Sequence, residues 1–265
     1  ESNGRGVPVL HPCVNRSGDT CRTEGTALRL GLEWVRGFTE AARRRLRVSR
    51  ERRPFSGLED FLCRVPTQRP EAEALILGGA FDFTGRTRPE LLCLLGAAYP
   101  VFRERARGAH IDDLFIGDAP AQAPWAVPSL PEFAEAERAW REWHALGVCV
   151  GRHPVSFFRE TGAFPGNTLT AQAAEQAKGP VRVAGIVAAR RTTPTRNGQP
   201  MQFITLEDET GLVECVLFPD THARHRGVVR ELGPYVAEGR LDGQYGATTL
   251  TVDRIRRVQR PGMRS

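Results

Sequence analysis

The chain has 265 residues, of which 40% are hydrophobic and 26% charged, with 27 glycines and 19 prolines. That balance suits two globular domains and excludes collagen-like, disulfide-dense and wholly disordered classes. The formal net charge of +6 favours an anionic partner, and no apolar run approaches the ~18–20 residues that cross a bilayer.

The first residues show no basic stretch followed by an apolar one, so a soluble cytoplasmic protein is expected. Cys13, Cys21, Cys63, Cys93, Cys149 and Cys215 include no C-x-x-C pair and are expected to be reduced thiols. His11, Cys13 and Cys21 lie close in sequence, as do His222 and His225. Neither group supplies the four paired ligands of a structural zinc site, so no metal and no cofactor is expected.

Residues 1–25 are rich in turn formers and read as loop. Leu28, Leu32 and Val35 then offer a helical apolar face, which Gly37 breaks. Thr39 is a capping residue for a helix from Glu40 to about Arg50. Ser56 with Glu59 three residues on forms a capping box, with Leu58, Phe61 and Leu62 pointing inward. Glu71–Leu77, stopped by Gly78 and Gly79, and Arg88 to about Leu95 complete an all-helical half. Prolines 120, 124, 128 and 131 mark residues 108–131 as a linker. A helix from Glu132 to about Leu146 and a further turn at Phe157 and Phe158 make a connector over 132–179.

From Val181 the period changes to two. Val181–Val187, Met201–Leu206, Leu212–Phe218, Tyr235–Leu241 and Thr248–Ile255 read as five strands, with a short helical segment between the third and fourth. That order is the signature of a small oligonucleotide- and oligosaccharide-binding (OB) barrel over 180–257. The fold class is therefore α+β multidomain: a helical module, a linker and a five-stranded barrel, closed by a basic tail at 258–265.

Between Arg36 and Arg53 eight arginines face two glutamates, the footprint of a polyanion partner or of a solvated helix face. The segment Trp34–Thr39 followed by the arginine-rich helix resembles a helix-hairpin-helix. There a hairpin and a helix N-terminus offer N–H groups to phosphates, with Arg36, Gly37, Arg43, Arg44 and Arg47 as the candidate contacts. The place where such hairpins hold a second glycine is Thr39, which favours a packing role.

In the barrel, Arg190, Arg191 and Arg196 fall in or beside the first hairpin loop. Phe203 is on the second strand, Phe218 ends the third, and Tyr245 lies in the last hairpin. Cations tracking phosphates with rings stacked on bases are the physics of single-strand binding. Phe203 and Phe218 are expected rather to be barrel core, and Arg190, Arg191 and Arg196, with no packing role in a loop, are the better candidates. The acidic run Glu207–Glu209 precedes Thr210 and Gly211, so a polar turn is expected rather than a magnesium site. His144 and His153 lack any nucleophile motif, and no phosphate loop occurs, so no catalytic residue is expected.

These residues together resemble one family. Val9–Ser17, Leu28–Gly37, Pro54–Phe61, Leu77–Asp82, Ala145–Gly147, His153 with Pro154, and Phe203–Gly211 follow in order the motifs of the bacterial family C DNA polymerase, the polymerase III alpha subunit, and more closely its error-prone relative. The resemblance implies that residues 1–30 end the fingers region, 31–107 hold duplex DNA, and 180–257 sit near the single-stranded template. It also implies that Ile111, Leu114 and Phe115 dock on the sliding clamp, although Ile111 stands where that pentapeptide has glutamine. The family's catalytic palm and phosphoesterase domains are not matched by these residues, so the chain alone is expected to make no phosphodiester bond. Its expected partners are single- and double-stranded DNA, with the clamp and a polymerase core chain. The setting would be replication or translesion repair synthesis. The competing expectation is an adaptor that binds the clamp or mutagenesis proteins with little DNA contact.

Overall fold

The computed structural model describes residues 7–108, 126–229, 233–244 and 247–259. The chain divides into two compact units, Glu1–Gly151 and Arg152–Ser265. The expected connector is thereby divided. Its long helix packs in the first unit, and residues 152–179 pack with the barrel.

The first unit opens on a small sheet that the sequence did not announce. Strands β1 (Val9–Leu10), β2 (Arg22–Glu24) and β3 (Ala27–Arg29) are ordered β1-β3-β2. The helix expected from Leu28 is corrected to β3 plus a 3-10 turn at Leu32–Trp34. The reason is long-range pairing: Leu28 N donates to Pro8 O and Leu30 N to Leu10 O, at 2.8 and 3.1 Å. Asn15 then clasps Phe55 in both directions, Nδ2 to O at 2.8 Å and Oδ1 from N at 2.7 Å.

Helix α1 (Glu40–Arg52) starts where expected, with Thr39 Oγ1 accepting from Ala42 N. Helix α2 (Leu58–Arg64) has Gly57, not Ser56, at its N-cap, and the Ser56 amide donates to Asp60 Oδ2 at 3.1 Å, so Asp60 rather than Glu59 reaches back over the first turn. Helix α3 (Arg69–Leu77) carries a capping box of Gln68 and Glu71. Helix α4 (Arg88–Gly108) runs well past Leu95 and through Pro100. Its buried face of Leu91, Leu94, Leu95 and Ala98 offsets the ~3 kcal/mol cost of an internal proline. Helix α5 is Glu135–Leu146.

Phe55, Phe61 and Phe81 meet edge to face, with centroids 5.4 Å apart in both pairs. Such pairs add about 0.5–1.5 kcal/mol each beyond burial. Buried Arg88 ties the unit together, donating to Glu142 Oε1 at 2.7 Å and Leu77 O at 3.0 Å. His11 Nε2 lies 3.0 Å from the same Glu142 oxygen.

The second unit begins with α6 (Pro154–Glu160) and α7 (Ala171–Glu175). The barrel follows as β4 (Pro180–Pro194), β5 (Pro200–Glu207), β6 (Leu212–Leu217), helix α8 (Pro219–His225), β7 (Tyr235–Gln244) and β8 (Ala247–Arg257). It closes in the order β4-β5-β6-β8-β7, with β6 and β8 parallel. Val183, Ile204, Leu206, Cys215, Leu217, Leu250 and Val252 fill it. Strand β7 shifts register at Gly239, where a Cβ would lie 1.9 Å from Thr251 O. Only glycine permits that approach. No helix among the described residues is long and apolar enough to cross a membrane.

Candidate nucleic-acid interface

Along β5 the side chains alternate. Ile204 and Leu206 enter the core, so Phe203 and Thr205 take the outer face. Phe203 pairs with Arg191 on β4 and Val216 on β6. The Arg191 guanidinium stands over the Phe203 ring, 5.7 Å from its centroid, within cation–π range. Phe218, the residue after β6, is 48% exposed. Both rings therefore lie outside the barrel core, which corrects the expectation that they fill it: the alternation of β5 turns Phe203 outward, and Phe218 follows the last residue of β6.

Strand β4 is longer than the sequence suggested, because Thr192 and Thr193 pair with Gln202 and Met201. Arg190 and Arg191 thus belong to the strand, not to a loop. They point to opposite sides: Arg190 Nη1 donates to Val229 O at 3.2 Å. Arg196 is exposed in the tight turn closed by Thr195 N to Gln199 O at 2.8 Å. Tyr245 lies outside the described residues, as do Ile111, Leu114 and Phe115.

The helical hairpin turns at Gly37, φ +78°. The Arg36 amide donates to Ala145 O at 2.8 Å, and its guanidinium lies over the Trp143 ring at 5.3 Å. Thr39 donates through N and Oγ1 to Glu71 Oε1, at 3.1 and 2.7 Å. A carboxylate of the protein itself thus sits at this helix N-terminus, as the macrodipole favours. Arg43 Nη1 donates to Phe38 O at 2.8 Å, with Nε 3.7 Å from Asp19. Arg47 pairs with Asp19, and Arg50 donates to Val14 O and Ser17 O. Burial, before any neighbouring charge, pulls the Arg50 pKa down. Arg53 and Arg64 share Asp60. Arg44 alone of the expected α1 contacts is fully on the exposed face.

The family model of the helix-hairpin-helix motif matches residues 6–91, and that of the OB-fold nucleic acid binding domain matches residues 181–258. The chain is 32% identical to the error-prone DNA polymerase of Symbiobacterium thermophilum, over 97% of its own length and 27% of that protein. With the DNA polymerase III subunit alpha of Bacillus subtilis it shares 31% identity over 96% of itself and 22% of that protein. With the error-prone DNA polymerase of Mycobacterium bovis the figures are 32%, 97% and 23%. The chain is similar to part of these polymerases. It spans about a quarter of their length.

The outer row of the barrel contains a residue the sequence reading missed. Cross-strand neighbours run Arg191, Phe203, Val216, Thr251, Arg240 through β4, β5, β6, β8 and β7. Arg240 is exposed, and four strand spacings put it about 19 Å from Arg191 along the sheet. The alternation of β7, with Ala237 and Leu241 inward, carries the signal and runs unbroken through Gly239, because the extra residue of the register shift is Asp253 on β8.

The acidic run Glu207–Glu209 is the turn that was expected, and it also anchors α6 and α7. Asp208 is buried and accepts from Thr210 N, Thr210 Oγ1, Gly211 N, Ala171 N and Arg159 Nη2. Arg159 Nε reaches Glu209 at 2.6 Å. His153 caps α6, its Nδ1 accepting from Val155 N at 3.2 Å. Its Nε2 is buried without a hydrogen bond, 3.8 Å from Glu207. Burial lowers the His153 pKa to about 4, against the opposing pull of Glu209 and Asp208. Burial, then Asp208, raises that of Glu207. Among the described residues no group of three or more His, Cys, Asp or Glu is arranged to hold a metal ion.

Proposed function

We propose that the barrel binds single-stranded DNA across its outer β4-β5-β6 face, and that the helical unit contacts duplex DNA beside it. The carrying observation is the outward Phe203 ring with the Arg191 guanidinium over it. A base replaces the guanidinium on the ring, and the cation moves to a phosphate. Arg196 and Phe218 extend the track, and Tyr245 is a further candidate for stacking on a base. Arg36, Gly37 and Arg44 are the duplex contacts, and Arg43 and Arg47 contribute to the surrounding field.

The related polymerases support a place in replication or translesion synthesis beside a polymerase core, with residues 111–115 docking on the sliding clamp. Bond making is assigned to that core, not to this chain. The test is anisotropy titration of a labelled thymidine oligonucleotide across salt. Arg191→Ala with Phe203→Ala should weaken binding by about 1–3 kcal/mol and lower the salt slope by ~0.7, the value for one lost single-strand phosphate contact. Binding that ignores both salt and these substitutions refutes the proposal and favours the adaptor.

A further inference from the structure

The helical unit holds a groove of about 410 Å³ that the DNA reading leaves unused. Leu62 at the end of α2, Pro66 beyond it, and Tyr99 and Phe102 on α4 give it an apolar lining. Arg45 on α1 and Arg103 on α4 line it as well, and both are exposed. Tyr99 is fixed by its hydroxyl, which donates to Thr67 O at 3.2 Å. Arg45 uses one nitrogen on Pro66 O at 3.2 Å, and a guanidinium has five N–H donors to offer. Thr67 Oγ1 is shut from solvent with no hydrogen-bond partner. The one acid lining the groove is Glu71, whose oxygens take Thr39 N, Thr39 Oγ1 and Gln68 N. Its charge is answered by two helix N-termini.

We infer that this groove docks a short acidic peptide carrying an aromatic or branched aliphatic anchor. The volume lies in the ~300–1,000 Å³ range of sites that enclose a compact apolar group. Arg45 and Arg103 give charge complementarity to carboxylates flanking that anchor. A nucleic-acid backbone meets those cations equally well but leaves the apolar lining empty, so the peptide satisfies more of the site. This inference stands independently of the barrel reading.

The test titrates the full chain with a fluorescein-labelled heptapeptide bearing three aspartates followed by leucine and phenylalanine. Saturable binding is expected, weakened about tenfold by Arg45→Glu or Arg103→Glu and by replacing the aspartates with asparagines. Ala41→Phe, at an exposed position lining the groove, should abolish it by filling the space. Arg22→Glu, the same charge change on β2, should leave it unaltered. The two arginine variants keep the test decisive even if Ala41→Phe disturbs folding. Equal binding of the asparagine peptide overturns the inference. So does competitive displacement of the peptide by a thymidine oligonucleotide whose own binding falls with Arg45→Glu and Arg103→Glu, which would give the groove to nucleic acid.

Discussion

Helix α1 and strand β4 both carry arginines that look alike in sequence, and they are spent differently. On α1, Arg43 and Arg47 reach Asp19, and Arg50 reaches the carbonyls of Val14 and Ser17. On β4, Arg191 rests on an outward aromatic ring, a contact that a base can replace. A guanidinium with five donors is as good a cross-link as a phosphate clamp. Three guanidinium groups of the helical cluster are therefore held internally, while Arg36, Arg44, Arg45, Arg52 and Arg53 stay exposed. The barrel row, whose cation rests on an outward ring, is the better candidate for single strands.

The largest expected effect tests the internal side of that contrast. Asp208 answers Arg159 and four other donors while buried. Asp208→Ala should cost the barrel about 3–5 kcal/mol, as for breaking a buried ion pair, measured by urea unfolding. Arg191→Ala, by contrast, should change stability by less than ~0.5 kcal/mol, the usual bound for surface positions. Equal losses in the two variants would erase the distinction.

Next comes acid sensitivity of the same junction. The folded state holds His153 near pKa 4, below its ordinary 6.5. Neutral His153 therefore stabilises the fold above pH 6.5, and that contribution is lost as pH falls toward 4. Linkage gives a loss of about 2 kcal/mol between pH 6.5 and 5. The raised Glu207 pKa acts oppositely, favouring the fold as that carboxyl protonates. His153→Asn keeps a capping oxygen for Val155 N. It should flatten the decline in thermal stability, and an unchanged decline would assign it elsewhere.

Much of this was legible in the sequence, and what was not has one physical origin. The five strands follow from period-two alternation, and the α1 start follows from Thr39, because both signals are local. Strands of two or three residues carry no period, so the β1-β3-β2 sheet was read as loop and helix. Helix α4 continues past Gly96 and Pro100 because its buried leucines outweigh local stop signals. The partners of Asp208 at Arg159 and Ala171 lie 49 and 37 residues away. The acidic turn was visible, but what it holds was not. Arg190 and Arg191, expected in or beside a loop, lie within β4 because that strand outlasts its apolar stretch.

Arg240 sharpens the comparison from the barrel side. It ends the row begun by Arg191 and has no motif around it. Arg240→Ala should weaken single-strand binding about three- to fivefold, near 1 kcal/mol, with thermal stability unchanged. No loss would confine the track to β4, β5 and β6.

The smallest effect probes the internal arginines directly. Asp19 engages both Arg43 and Arg47, and such half-exposed pairs contribute ~1 kcal/mol or less. Asp19→Asn should therefore cost little stability while releasing one unit of positive charge on α1. If Asp19 holds these side chains back from a polyanion, duplex binding should strengthen about twofold at low salt, and the gain should vanish as salt screens it. A drop in duplex affinity would mean instead that Asp19 presents the two guanidinium groups to DNA. The helical cluster would then rank with the barrel row as a binding surface.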